Sequence, residues 1–142
     1  MKVVFVDNPQ RVQGLSSSVR RGIATARHSP AVLLMPVDLV NLKSRELALL
    51  MRRRQAAPRA VIARRIRARD SAGCSSFGAT PLVLPRRFYI RALSITGDAG
   101  LRDLVARLPP ASRMLVDIPS AAIDIDTPED LKAARRSFRS RS

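Results

Sequence analysis

The chain has 142 residues, 46% of them apolar, with 26 Lys and Arg against 11 Asp and Glu and a formal charge of +15. That length suits one domain over 1–142, and the apolar share can supply a core, so the charge alone does not mark a disordered chain. One cysteine, Cys74, excludes an internal disulfide framework or a Cys-based zinc site, and one histidine, His28, argues against a His-rich metal site or a Ser-His-Asp triad.

Val3-Val4-Phe5-Val6 reads as a buried strand. Val19, Gly22, Ile23 and Ala26 then recur at the spacing of one helical face, which predicts a helix over Ser16–Arg27 with Ser16 or Ser17 as N-cap. Ala31–Met35 is a second apolar strand, ended by Pro36. A helix from Ser44 to Gln55 follows, with Leu47, Leu50 and Met51 on one face, and Val61–Ile66 is a third strand interrupted by arginines. Asp70–Thr80 has the Ser, Gly and Ala content of a loop, and Pro81–Pro85 is a short strand between prolines. Asp98 can cap a helix with the face Leu101, Leu104, Val105 and Leu108, which Pro109-Pro110 stops. Met114–Val116 is a further strand. Thr127 at the N-cap, Pro128 at N1 and the acids Glu129 and Asp130 mark the start of a last helix. This alternation predicts a single α/β layer structure, a mostly parallel sheet flanked by helices.

No apolar run approaches the ~18 residues needed to span a membrane, and Met1–Asp7 is too short for a signal peptide, so a reduced, cytoplasmic setting is expected. The basic residues gather in two places: eight arginines within Arg52–Arg69, and five basic residues within Lys132–Arg141. Basic clusters can neutralise nucleic-acid phosphates, but aromatics make up only 4% of the chain, which leaves few stacking platforms. A solvated basic face, or a small anionic ligand such as a nucleotide, is the preferred reading.

In sheets of this kind ligands gather where strands end and loops feed into helices. Three loops fit. Gln13-Gly14-Leu15-Ser16-Ser17-Ser18 brings three hydroxyls and free N–H groups to a helix start, suited to an anionic group or to ordinary capping. Asp38 follows an apolar strand directly, where a carboxylate needs solvent, a partner or a cation, and one Asp can hold Mg²⁺ when substrate phosphates supply further ligands. In Ile123–Asp130, strand alternation would put Asp124 and Asp126 on one side, able to share a cation or simply to favour the following helix.

Taken in order, these stretches resemble the MobA-like nucleotidyltransferases, especially the molybdenum cofactor cytidylyltransferase branch. The resemblance is carried by Asn8 with Gly14–Gly22, by Val32–Asp38, by Gly97-Asp98-Ala99-Gly100-Leu101-Arg102, and by Asp124-Ile125-Asp126-Thr127-Pro128-Glu129-Asp130-Leu131. It implies a Rossmann-like fold of the nucleotide-diphospho-sugar-transferase kind. It also implies transfer of a nucleotidyl group, CMP from CTP, to a phosphorylated acceptor such as molybdopterin. By position it makes Asp38, Asp124 and Asp126 the catalytic, Mg²⁺-binding set. Gly14, Ser16, Ser17 and Ser18 would then lie on the nucleotide side, and Gly97, Asp98, Arg102 and Thr80 on the acceptor side. Thr80 stands where the family often has the His of a Gly-His-Pro.

Such proteins begin with a strand and a Gly-rich loop bearing Arg and Lys that cradles the triphosphate, and no such loop occurs in these residues. The expectation is therefore an N-terminally truncated, partial domain, impaired alone, with an open sheet edge able to self-associate. The alternatives are a non-catalytic binding or regulatory remnant of the family and, further off, a basic nucleic-acid binder.

Overall fold

The computed structural model describes residues 3–39, 41–70, 73–97, 100–122, 127, 129 and 131–132. Among these residues four strands form one sheet: β1 (Ala31–Leu34), β2 (Val61–Asp70), β3 (Gly73–Pro85) and β4 (Arg113–Val116), in the order β1-β3-β2-β4. β3 is antiparallel to both neighbours, and β2 is parallel to β4. The expected mostly parallel sheet is thus mixed: β1, β2 and β4 share one direction and β3 enters between them reversed.

Helices α1 (Leu15–Thr25), α3 (Tyr89–Leu93) and α4 (Gly100–Ala106) cover one face, and α2 (Ser44–Ala56) covers the other. The pleat sorts the side chains accordingly. Val61, Ala63, Leu82 and Leu84 meet Val19 and Ile23 of α1 and Val105 of α4 on the first face. Ile62, Val83 and Val116 meet Leu50 of α2 on the second. Among the described residues no helix is long and apolar enough to cross a membrane.

Most of the anticipated elements form, with four differences. Val3–Val6 is neither strand nor buried, and Phe5 is 94% exposed. Its β-branched residues favour extension, but a strand persists only when a neighbour takes its N–H and C=O groups, and no described strand pairs with it. The N-cap of α1 is Gly14, at φ +86° and ψ −178°, a conformation nearly confined to glycine, so Ser16 and Ser17 fall inside the first turn. The segment read as a loop over Asp70–Thr80 is largely strand, because Gly73–Ala79 pairs with Arg64–Asp70 in a hairpin, and cross-strand bonding overrides the small-residue composition. The sequence reading did not anticipate the helical stretch of Arg86–Phe88 and α3, which the Tyr89 hydroxyl ties to the α1–β1 connection by donating to Ser29 O at 3.2 Å. Of the last helix, residues 129, 131 and 132 are helical, and Leu131 N–H donates to Thr127 O at 3.2 Å.

One buried carboxylate joins distant parts of the second face. Glu46, 8% exposed, lies in the first turn of α2, and its Oε2 accepts from Lys43 N–H at 3.0 Å, half of a capping box. Its Oε1 accepts from Ser120 N–H at 3.2 Å, and the Ser120 hydroxyl also donates to Oε2. Burial, the largest single influence, opposes ionisation. The Ser120 hydroxyl, the N–H groups of Lys43 and Ser120 and the Lys43 charge together outweigh it and hold the carboxyl below its ordinary pKa.

Two consequences can be measured. A folded-state pKa held below the unfolded one contributes stability above the unfolded value, about 4.3, and that contribution disappears as pH falls through the folded value. Glu46→Gln is therefore expected to unfold at lower urea than the parent at pH 7, with the gap closing below about pH 4. In Gly78→Ala the new Cβ would lie 2.6 Å from Val105 Cγ1 and 3.0 Å from Ala63 Cβ, so urea unfolding should show a loss of about 1–3 kcal/mol.

Candidate functional site

The first turn of α1 meets the connection between α3 and α4. Two glycines with positive φ meet there: Ser16 N–H, next to Gly14, donates to the carbonyl of Gly97, whose φ is +68°, at 3.3 Å. Arg20 holds the same junction, donating from Nη1 to Ile95 O at 2.6 Å and to Ser16 Oγ at 3.3 Å, and from Nη2 to Gln13 Oε1 at 3.1 Å. Asn8 Nδ2 donates to Ser17 Oγ and Ser18 Oγ, both at 2.9 Å, and the Ser17 hydroxyl donates to Gly14 O at 2.8 Å. Ser16 and Ser17 are buried and serve this network, whereas Ser18 is exposed. The structure thus brings together Gly14, the three serines and Gly97, which the sequence assigned to two different ligands.

Asp38 sits in the loop that leaves β1, half-buried between the fully exposed Val37 and the buried Leu39. Its Oδ1 is buried and, among the described residues, has no hydrogen-bond partner. A buried carboxylate oxygen left unpaired costs on the order of 1–3 kcal/mol or more, so its chemistry is that of an acceptor awaiting a donor or a cation. One strand inward, Thr80 is half-buried in a bulge of β3. Ala63 faces Leu82 but Arg64 faces Ala79, so Thr80 and Pro81, joined by a cis peptide bond, have no counterpart on β2. Bulges of this kind recur beside sites because they re-aim side chains.

Arg64, directly past that bulge, was not singled out from the sequence. Its Nε and Nη1 are buried and, among the described residues, have no hydrogen-bond partner. The signal was an arginine closing the apolar run Val61-Ile62-Ala63. Arg65 and Arg67 are occupied by Asp117 at the end of β4, with ion pairs of 3.6 and 3.4 Å, and Arg65 Nη2 also donates to Leu115 O.

Asp98, Asp124 and Asp126 lie outside the described residues, and Arg102 is exposed on α4. Among the described residues no three His, Cys, Asp or Glu side chains gather as a metal cluster. The approach to 123–126 is nonetheless defined. After β4 the chain crosses to the start of α2, where Ile118 and Ala121 pack in one cluster with Leu39 and Leu50, and Ser120 bonds to Glu46. The loop carrying Asp38 and the segment leading to Asp124 are therefore neighbours, although β1 and β4 are the two outer strands.

No curated protein matches the chain. Residues 1–112 match the family model of the MobA-like NTP transferase domain, a stretch that takes in the α1 loop, Asp38, Thr80 and Gly97–Arg102 and stops just before β4. With the α/β fold, that match settles the family: the chain belongs to the MobA-like NTP transferases, nucleotidyltransferases that bind a nucleotide.

Proposed function

We propose that this chain serves a cytoplasmic transfer of CMP from CTP to a phosphorylated acceptor of the molybdopterin kind, with Mg²⁺ as the cation. In that reaction an oxygen of the acceptor phosphate bonds to the α-phosphorus. The bond from that phosphorus to the bridging oxygen breaks, and pyrophosphate leaves with the electron pair. The observation that carries this reading is the buried, unpartnered Oδ1 of Asp38, an acceptor that suits a hard divalent ion. Asp38, with Asp124 and Asp126, would hold the ion, which when bound neutralises charge on the transferring phosphate.

The chain's own groups have distinct tasks in this reading. Gly14 lets the α1 loop approach a ligand closely, since no Cβ stands in the way, and Ser16 and Ser17 keep that loop rigid while Ser18 faces the nucleotide. Thr80, Gly97, Asp98 and Arg102 serve the acceptor, and the unpaired guanidinium nitrogens of Arg64 favour phosphate. A Gly-rich loop with Arg and Lys does not occur among these 142 residues, so turnover should be weak until one is supplied. The outer strand β1 and the exposed Val3–Val6 also favour self-association.

Joined to a Gly-rich segment from the preceding reading frame or from a relative, the chain is expected to release pyrophosphate from CTP in a Mg²⁺-dependent manner. Asp38→Asn should lower that release by about 100-fold or more. If no version releases pyrophosphate, and the variant behaves like the parent, the transferase reading fails; calorimetric binding of CTP without release would point to a non-turnover binding module. The self-association reading is checked by sedimentation velocity, where the apparent mass should rise with concentration and a constant monomer mass would refute it.

A further inference from the structure

We infer that Arg64 is an anion-recognition residue, which holds a phosphate group with a guanidinium that the fold keeps buried and leaves unpaired. The identity of the anion, a phosphate of the nucleotide or of the acceptor, rests on the transferase reading above. The site itself is argued from the sheet and needs no cation.

The register places the residue. Leu34, Leu82, Ala63 and Leu115 stand in one row across β1, β3, β2 and β4. It is the last row that takes in all four strands, because β1 ends at Leu34 and the Thr80–Pro81 bulge interrupts β3 directly beyond it. Arg64 is the next residue of β2, paired with Ala79 on one side and Val116 on the other. Ala63 belongs to the cluster under α1, α3 and α4, so strand alternation turns Arg64 to the opposite face, the one covered by α2. Its neighbour Val116 confirms this, being packed there with Leu39, Leu50 and Ile62. A charge thus takes the next position on a face that Ile62, two residues earlier, fills with fully buried carbon.

A guanidinium does not give up its proton in a protein, so burial cannot neutralise it as it can a lysine or a histidine. Only a partner offsets the cost. Arg65, next on β2, has its Nε 3.6 Å from Asp117 Oδ1 and donates from Nη2 to Leu115 O at 3.0 Å, while Arg20 and Arg113 donate to Ile95 O and Val105 O at 2.6 and 3.1 Å. Arg54 leaves one buried nitrogen, Nε, without a bond, whereas Arg64 leaves two, Nε and Nη1. Among the described residues no ion pair reaches Arg64, and Asp117, the carboxylate just past Val116, is held by Arg65 and Arg67. A phosphate group suits these donors, because its oxygens accept several N–H groups at once. A guanidinium is also more weakly hydrated than an ammonium, which lowers the cost of drawing the pair out of water. The formal charge of +15 concentrates anions around the chain before any of them reaches the site.

The test reads stability and anion binding together, at about 150 mM salt so that the general positive charge is screened. The parent, Arg64→Met, Arg64→Lys and the exposed control Arg52→Met are titrated calorimetrically with pyrophosphate and with phenyl phosphate, and each is melted without ligand. Methionine covers the same apolar surface without a charge, so Arg64→Met should raise the thermal midpoint by about 2–8 °C. It should also weaken binding of pyrophosphate, of phenyl phosphate or of both by about 10-fold or more. Loss for pyrophosphate assigns Arg64 to the phosphates of the nucleotide, and loss for phenyl phosphate assigns it to the phosphate of the acceptor. Arg64→Lys keeps the charge without the planar donor set and should fall between the parent and Arg64→Met, while Arg52→Met should bind as the parent does. Absence of binding by the parent, or equal affinities for both anions in the parent and Arg64→Met, would overturn the inference. A lowered midpoint in Arg64→Met would overturn it too, by making the guanidinium a structural group. Weakened anion binding in Arg64→Met, in a chain that releases no pyrophosphate from CTP even with the Gly-rich segment supplied, would keep the anion site and remove the transferase reading.

Discussion

Strand β3 is the constraint on which the two cores depend. Leu82 and Leu84 point into the face covered by α1, α3 and α4, Val83 into the face covered by α2, and all three are fully buried. The strand bonds to β1 on one side and β2 on the other, so without it β1 would have no described neighbour. Both neighbours end their regular pairing with β3 at Leu82, opposite Leu34 and Ala63. There the Thr80–Pro81 bulge interrupts the ladder, and the hairpin of Arg64–Asp70 with Gly73–Ala79 continues past the sheet as a two-stranded arm. That interruption defines a rim: the β1 loop on one side, the β2–β3 arm in the middle, and the chain leaving β4 on the other.

Buried polar groups are unevenly satisfied in this fold: among the described residues Arg54 Nε on α2, like Asp38 Oδ1 and the Arg64 nitrogens, has no hydrogen-bond partner. Glu46, deeper than Asp38, has three donors; Asp38 Oδ1 and the Arg64 nitrogens have none. Each unpaired buried group works against folding by an amount comparable to a lost hydrogen bond or more. The α1 loop shows the complementary strategy, since Asn8, Arg20 and the buried serines consume one another's hydrogen bonds and fix the backbone shape around Gly14 and Gly97.

The elements legible in the sequence were those decided by local periodicity and end signals. α1, α2 and α4 carry an apolar face at helical spacing, and β1 and β4 are apolar runs bounded by turns or proline. What was not legible depended on a distant partner. Val3–Val6 has the residues of a strand and no described strand to join, whereas Gly73–Ala79 has the residues of a loop and becomes a strand because Arg64–Asp70 pairs with it. The same division holds at the rim. Gly14, the serines and Asp38 stood out as a helix start and a strand end, but that Ser16 is tied to Gly97, and that Glu46 and Ser120 form a link, follows from contacts 74 to 81 residues apart. Glu46 was visible in sequence only as an acid in the first turn of a helix, a position that ordinarily means capping and nothing more.

The excess of arginine takes on a different meaning once these contacts are traced. With 26 basic residues and 11 acidic ones, most guanidinium groups have no carboxylate to meet, and several are spent on backbone carbonyls. Arg113 donates to Val105 O and Ala106 O at the C-terminus of α4, where a cation also suits the helix dipole. Arg20 donates to Ile95 O and Arg65 to Leu115 O. Arginine's fixed fork of donors makes it the better basic residue for such bridging, so part of the Arg-over-Lys bias is structural. The rest leaves the protein strongly positive in a field that draws anions of every kind toward it, and discrimination among them must then come from short-range geometry at the rim rather than from charge.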